Sequence, residues 1–387
     1  MKKKIAILGS TGSIGKTLLK IISNDKKNFK ILLLTANKNF RDVLRQAKIF
    51  KVNKVIITDK KSYNIAKLLS KKNKIKIYNN FNELNKILPK KIDYVMSSII
   101  GINGLDPTIK IIKYTKNIAI ANKESIICAW NLIKKELIKN KTNFIPVDSE
   151  HFSIWYANKK IKLDNIKKIY ITASGGPLLN LSINKIKKIK MSQVLKHPNW
   201  TMGRKISIDS ATMMNKVFEV IEAKKIFDVN YNKLSILIHP NSYIHAIIDY
   251  KDGLKKIIAH DTTMMIPIIN SLYEENYKTI SSKNLDLLKL NNLDLKNVDF
   301  NQFPVVNILK KMPKTDSLYE TILVSANDEY VNLYLSKKIK FFDISKKIIE
   351  LINRNEFLKY KNIKPRKIKD IIELNEYVRL KINSLGV

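Results

Sequence analysis

The stretch Ile5-Ala6-Ile7-Leu8-Gly9-Ser10-Thr11-Gly12-Ser13-Ile14-Gly15 decides the fold of the first part of the chain. Ile5 to Leu8 is a short unbroken apolar run, as expected of a parallel strand covered on both faces. Three glycines follow at once, three residues apart, and Ile14, Leu18, Ile21 and Ile22 then recur with a helical period. Strand, glycine turn and helix in succession make a nucleotide-binding opening. The glycines let backbone approach a pyrophosphate, and the helix N-terminus offers N–H donors and a positive dipole end. The spacing is GxxGxxG rather than GxGxxG, so the flanking strand and helix carry much of the specificity.

Working outward, strand-like runs at 31–35, 52–58, 75–78, 94–100 and 117–121 alternate with helical stretches up to about residue 147. That rhythm predicts a doubly wound parallel sheet. The second strand ends in Thr35-Ala36-Asn37-Lys38-Asn39, without the acidic residue that would bind a ribose 2′-hydroxyl. Lys38 is instead suited to a 2′-phosphate. Ala121-Asn122-Lys123-Glu124-Ser125 follows a strand, where such sheets hold their ligands, so Asn122, Lys123 and Glu124 are candidate contacts. A capped helix start explains the same residues.

Pro146-Val147-Asp148-Ser149-Glu150-His151 places two carboxylates two residues apart. On an extended segment both would face one way and His151 the other. Such a pair needs a cation between its members, and all-oxygen ligation favours Mg²⁺ or Mn²⁺ over zinc. Glu219 is available as a third acid. It lies in the densest window of unlike polar groups, His197 to Phe227, where a loop with His197, Trp200, Gly203 and Arg204 leads past Asp209 and Ser210, read as helix caps. On the helix that follows, Asn215, Glu219 and Glu222 share one face and Met214, Val217, Phe218 and Ile221 the other. Ser174-Gly175-Gly176-Pro177, after a strand at 167–173, is a small-residue turn suited to phosphate. Further strands are expected at 234–239 and 243–250, with His239 and His245 as structural histidines. Residues 301–387 have a helical pattern, with Asn327, Asp328 and Glu329 as capping or rim residues.

Composition bounds the remaining classes. The 387 residues carry 72 Lys and Arg against 33 Asp and Glu, a formal charge of +39. The charge is spread over the whole chain, lysine far outnumbers arginine, and no basic stripe with interleaved aromatics stands out, which argues against a nucleic-acid partner. No apolar run is long enough to span a membrane. The basic start runs straight into glycines and reads as a mature strand rather than a signal peptide. One cysteine, Cys128, excludes an internal disulfide and suits a reducing, cytoplasmic setting. As a nucleophile Cys128 would suggest a thiol-dependent dehydrogenase, but it reads better as a small buried residue on the apolar side of its helix.

Taken together, GSTGSIG at 9–15, ANKES at 121–125, PVDSEH at 146–151, SGGP at 174–177, HPNWTMGRKISIDSATMMNK at 197–216 and HPNSYIH at 239–245 closely resemble the 1-deoxy-D-xylulose 5-phosphate reductoisomerase family. The resemblance spans nearly the whole chain. It implies an α/β architecture with a Rossmann-type NADPH domain at 1–147 and an α+β catalytic and dimerisation domain at 148–273, carrying a mobile lid at about 186–204. A linker at 274–300 and a C-terminal helical bundle at 301–387 complete it. It also implies a homodimer that converts 1-deoxy-D-xylulose 5-phosphate to 2-C-methyl-D-erythritol 4-phosphate with NADPH and Mg²⁺ or Mn²⁺. Carried over by motif, Asp148, Glu150 and Glu219 would ligate the metal. Ser174, Ser210, Asn215 and Lys216 would hold the substrate phosphate, and Lys123, Ser149, Glu150, His197 and Glu219 would complete the substrate contacts. Lys123, Glu150, His197 and Trp200 would be the catalytic set. Thr11, Gly12, Ser13, Ile14, Lys38, Asn39, Asn122, Glu124 and Gly203 would bind NADPH. Two positions depart from the family pattern. Asn37 stands where glycine is usual, and Met265 where an arginine is.

Overall fold

The computed structural model describes residues 1–70, 75–159, 163–273 and 284–385. The first half alternates as its sequence pattern requires. β1 (Lys3–Leu8), α1 (Ser13–Ser23), β2 (Phe29–Ala36), α2 (Phe40–Ile49), β3 (Lys54–Ile57) and α3 (Lys60–Ser70) come first. Then follow β4 (Lys76–Tyr78), α4 (Leu84–Ile87), β5 (Ile92–Ser97), α5 (Leu105–Ile112), β6 (Thr115–Ile120), α6 (Lys123–Asn140) and β7 (Asn143–Pro146). The seven strands form one all-parallel sheet in the order β4-β3-β2-β1-β5-β6-β7. β1 therefore lies between β2 and β5, where the winding reverses, and the crevice beyond such a reversal is where these sheets take ligands. Ile5, Ala6, Ile7 and Leu8 have no solvent exposure.

The second half supplies α7 (Ser149–Ala157), β8 (Ile166–Ala173), α8 (Ile183–Ile186), α9 (Met191–Val194), α10 (Arg204–Ala211) and α11 (Met214–Phe227). These are followed by β9 (Leu234–Ile238), β10 (Ile244–Tyr250), β11 (Lys255–Ala259), α12 (Met265–Tyr273), α13 (Leu287–Asn291) and β12 (Lys296–Asn297). Last come α14 (Tyr319–Leu335), α15 (Phe341–Ile352), α16 (Asn355–Leu358) and α17 (Ile368–Ser384). A mixed sheet runs β11-β10-β8-β9-β12, with only β8 and β9 parallel. Against it pack α7 and α11, through Ile154, Ile169, Ile171, Val220, Phe227 and Ile248.

The chain divides into two compact units. Residues 1–125, 132–148 and 264–273 make the first, and residues 126–131, 149–263 and 284–385 the second. In the first, α12 returns to the parallel sheet's neighbourhood: Tyr94 OH lies 2.8 Å from Ser271 Oγ, and Tyr273 OH donates to Asp25 at 2.6 Å. In the second, the C-terminal helices pack with the mixed sheet's unit rather than standing apart.

Several local expectations need correction. Asp148 and Glu150 are not on an extended segment, because α7 begins at Ser149. Asp209 and Ser210 are not caps but lie inside α10. The polar face of α11 is buried along with the apolar one: Met214, Val217, Phe218 and Ile221 are buried, and so are Lys216, Glu219 and Glu222. Asn327 and Asp328 are interior residues of α14, not a rim. Of the expected linker at 274–300, residues 274–283 lie outside the described ones, while 284–300 contain the short elements α13 and β12, the latter paired with β9. The errors at Asp209, Asn327, Asp328 and α11 share one cause: a polar residue in a pattern reads as solvated, whereas tertiary partners hold these inside.

Candidate active site

The glycine turn is held by backbone and by neutral side chains. Gly9 sits at φ +80, and a Cβ there would lie 2.8 Å from the Ser98 carbonyl oxygen at the end of β5. At Gly15 a Cβ would lie 2.6 Å from both the Gly9 oxygen and Ser10 Cα, so α1 can close on β1 only with glycine there. Gly12 is the N-cap of α1, which leaves the first-turn N–H groups of Ser13 and Ile14 without helical acceptors of their own. Gly9 N donates to Thr35 Oγ1 at 2.9 Å, and Gln46 brackets Ser10, its amide donating to Ser10 O at 3.0 Å. Lys38 is exposed just before α2, whose N-cap is Asn39. Asn37 shows no positive φ; its amide donates to Thr58 Oγ1 at 2.8 Å.

Asn122 turns out to brace the same unit. Its side chain caps α6, accepting from Ser125 N at 2.6 Å, and donates to the carbonyls of Ile99 and Gly101. Lys123 and Glu124, far from being solvated, are largely buried, and Lys123 pairs with Asp148 at 3.1 Å. Gly203, the remaining residue expected to meet NADPH, lies in the second unit as N-cap of α10.

In the second unit the charged residues converge. Lys216 Nζ pairs with Glu150 Oε1 at 3.0 Å and closely with Glu219 Oε2. The second oxygen of each carboxylate is held too: Ser149 Oγ donates to Glu150 Oε2 at 2.5 Å, and Asn215 Nδ2 to Glu219 Oε1 at 2.5 Å. One ammonium thus sits between a buried carboxylate, Glu219, and a largely buried one, Glu150, and charge in such a setting is costly without compensation. Asp148 stands two residues before Glu150 and closes the first unit.

Support for this cluster comes from two histidines that the sequence reading did not place at it. His151, expected to point away, is fully buried under α11, with Nε2 donating to Glu219 O at 2.8 Å and Nδ1 3.4 Å from Glu222. His245 is buried in β10 with Nδ1 4.0 Å from Glu150 Oε1, and its ring stacks on His260 at 3.7 Å. Only the fold brings β10 to α7, so no local signal could have placed His245 there. His239 behaves as expected, its Nδ1 3.2 Å from Asp294 O.

Ser174 and His197 form a second group. His197 Nδ1 accepts from the backbone N–H groups of Asn199 and Trp200, each at 3.1 Å, which fixes the proton on Nε2. Nε2 then donates to Ser174 Oγ at 3.0 Å, which also accepts from Gly176 N at 3.1 Å. With two donors already aimed at its oxygen, the Ser174 hydroxyl has its own proton to give elsewhere. Burial pushes His197 down to about 4, so it is neutral near pH 7. Gly176, at φ +68, packs on Ser210: a Cβ there would lie 2.9 Å from the Ser210 carbonyl oxygen. After α10 the chain turns through Met213 at φ +66, and Thr212 Oγ1 accepts from Met214 N at 3.3 Å as α11 begins with Asn215 and Lys216. Trp200 is half-buried, edge-on to His245 at 6.1 Å.

Comparison with known proteins gives one answer along the chain. Residues 5–130 match the model for 1-deoxy-D-xylulose 5-phosphate reductoisomerase, and 144–227 and 261–381 match models for its C-terminal domains. The chain is 59% identical to the 1-deoxy-D-xylulose 5-phosphate reductoisomerase of Pelagibacter ubique over all of both chains. It is 37% identical to that of Clostridium tetani over 98% of this chain and 100% of the other. Among solved structures, the Zymomonas mobilis enzyme in complex with NADPH superposes with a TM-score of 0.89 at 31% identity, covering 100% of this chain and 99% of that one. A reductoisomerase in complex with NADPH, fosmidomycin and magnesium gives 0.90 at 29% identity, over 99% and 98%.

Proposed function

From the premise that the chain belongs to the 1-deoxy-D-xylulose 5-phosphate reductoisomerase family, we propose how its residues divide the work of that reaction. The chain converts 1-deoxy-D-xylulose 5-phosphate to 2-C-methyl-D-erythritol 4-phosphate, the committed step of the non-mevalonate isoprenoid pathway, with NADPH and a divalent metal ion. When bound, the metal acts as a Lewis acid on substrate oxygens and NADPH supplies the hydride.

The residues fit both groups. The metal's donor set is all carboxylate, as Mg²⁺ or Mn²⁺ prefers, and Asp148, Glu150 and Glu219 would hold it. Lys216 carries this assignment: an ammonium buried between Glu150 and Glu219 marks a place built for positive charge. For NADPH, Thr11, Gly12, Ser13 and Ile14 offer the turn and helix start, Lys38 and Asn39 the 2′-phosphate side, and Asn122, Glu124 and Gly203 the remaining contacts. The side chain of Asn122 is taken by the 99–101 loop, so its contribution is to shape that wall.

Ser174, Ser210, Asn215 and Lys216 would hold the substrate phosphate, with the Ser174 proton directed by the His197 and Gly176 bonds. Anchoring that remote group orients the reacting carbons. Ser149 fixes the Glu150 carboxylate, and Lys123 balances Asp148. His197, neutral with Nε2–H, serves as a donor and not as a cation. Residues 186–204 would close as a lid, with Trp200 covering the apolar face of the substrate and excluding water. Limited proteolysis at the lysines of 185–196 should slow when metal, NADPH and a phosphonate substrate mimic are added together; equal rates would remove the lid.

The thiol-dependent alternative loses its nucleophile, since Cys128 is buried in α6. No helix among the described residues is long and apolar enough to cross a membrane. A cytoplasmic homodimer suits the family, and light scattering on the eluting species would show a monomer if that is wrong. The direct assay of function is NADPH oxidation with 1-deoxy-D-xylulose 5-phosphate and Mn²⁺. Oxidation that ignores the sugar phosphate, or no oxidation at all, overturns the assignment.

A further inference from the structure

We infer that Asp209 and Asn327 form a buried clamp through which the C-terminal helices set the direction of Ser210, making both of them positioning residues for the substrate phosphate. The inference rests on Ser210 meeting that phosphate, as proposed above.

Asp209 and Ser210 are neighbours in the last turn of α10, so their side chains diverge by roughly 100°. Asp209 is buried and receives two donors: Asn327 Nδ2 at 2.9 Å and Lys205 Nζ, one turn earlier, at 3.1 Å. Asn327 is itself fully buried in the middle of α14. Around this pair charges alternate outward. Lys205 also reaches Asp328 at 2.9 Å, and Arg379 of α17 binds Asp328 at 3.2 Å and Glu329 at 2.9 Å. The network thus joins α10 to α14 and α17.

A carboxylate this deep is tolerated only with its donors in place. The Asn327 bond therefore fixes the rotation of α10 about its own axis, and that rotation aims Ser210. The consequence extends further, because Gly176 packs directly on the Ser210 carbonyl and Ala211 Cα, and Gly176 N holds the Ser174 oxygen. Rotating α10 would move both hydroxyls assigned to the phosphate. The clamp's contacts run to Lys205 and, through it, to Asp328 and Arg379, so the reacting end at Glu150 and Glu219 should feel it less.

The test is a reciprocal exchange. Asn327→Asp sets a carboxylate against Asp209 and should raise KM for 1-deoxy-D-xylulose 5-phosphate by about tenfold or more, with KM for NADPH unchanged and kcat within about threefold. Adding Asp209→Asn restores an amide-to-carboxylate bond in the opposite sense, with Lys205 still held by Asp328, and should recover most of the lost KM. If Asn327→Asp does not accumulate as folded protein, Asn327→Ala removes the donor without adding charge, and the same selective rise in sugar-phosphate KM is expected. An unchanged KM in the single variants, a KM rise shared equally by NADPH, or a double variant no better than the single one overturns the clamp. Ser210→Ala separates this from the reading beneath it: if that variant keeps its sugar-phosphate KM, the phosphate assignment fails whatever the clamp does.

Discussion

The glycine turn after β1 and the acid–lysine cluster around α11 are built by opposite means. The turn uses backbone and neutral groups within a few residues of one another, shaped by missing side chains at Gly9 and Gly15 and steadied by Thr35 and Gln46. The cluster uses charged side chains from separate elements, Glu150 from α7 and Lys216 and Glu219 from α11, with the His245 ring of β10 beside them. A site made of backbone tolerates loss of neighbouring charge but not added atoms. A site made of buried charge tolerates neither a lost partner nor a neutralised one, even when shape is kept.

The largest effect expected from this contrast is at the cluster. Glu219→Gln keeps shape and removes one charge, and it should lower kcat by about 10³-fold or more while the fold persists. Chelation of the divalent ion should abolish turnover of the unaltered protein. Full activity of Glu219→Gln in metal-limited buffer would break the contrast outright.

Gly15→Ala asks the converse question, since it adds one methyl and no charge. Its Cβ would press on the Gly9 oxygen and Ser10 Cα, both backbone atoms that cannot swing aside. A loss of about 1–3 kcal/mol in stability is expected, together with weaker NADPH binding. Thermal unfolding and a fluorescence titration with NADPH would check both, and a variant indistinguishable from the parent would show that the turn has more room than its distances allow.

A smaller change should come from Lys38→Ala. Lys38 is exposed, so the fold should not notice, but the NADPH-over-NADH ratio of kcat/KM should fall by about tenfold, roughly 1.4 kcal/mol. An unchanged ratio would assign the 2′-phosphate to backbone and sharpen the contrast further.

The smallest is a pH effect on stability at His197. Burial holds its pKa at about 4, below the ordinary value of 6.5. Between these two values the unfolded chain binds a proton that the folded chain refuses, so stability falls as pH drops through that window. His197→Gln should make urea unfolding less sensitive to acid between pH 6.5 and 4, and identical slopes would contradict a buried neutral ring.

The same contrast explains how much was legible beforehand. β1, β2, β8 and β10 were readable because continuous apolar runs and glycine turns are local signals. The acids at 148 and 150 were noticed for a spacing that assumed a strand, whereas a helix begins at Ser149 and holds Glu150 in its first turn. Asp209 was read as a cap and Asn327 as a rim residue, because polar residues in a pattern look solvated until their partner is known; here they are each other's partner across 118 positions.

By itself, then, the sequence determined the alternating strand and helix order, the glycine turn, the absence of an acid after β2 and the family motifs. These depend on neighbours along the chain, where periodicity and backbone freedom act directly. Tertiary structure alone decided that Lys216 lies between Glu150 and Glu219, that His151 holds α11 from below, that His245 faces the acids, and that α14 grips Asp209. Hydrogen bonds and ion pairs of that kind have ångström range and no sequence range. They exist only once the hydrophobic core has fixed α7, α10, α11, β10 and α14 within reach of one another.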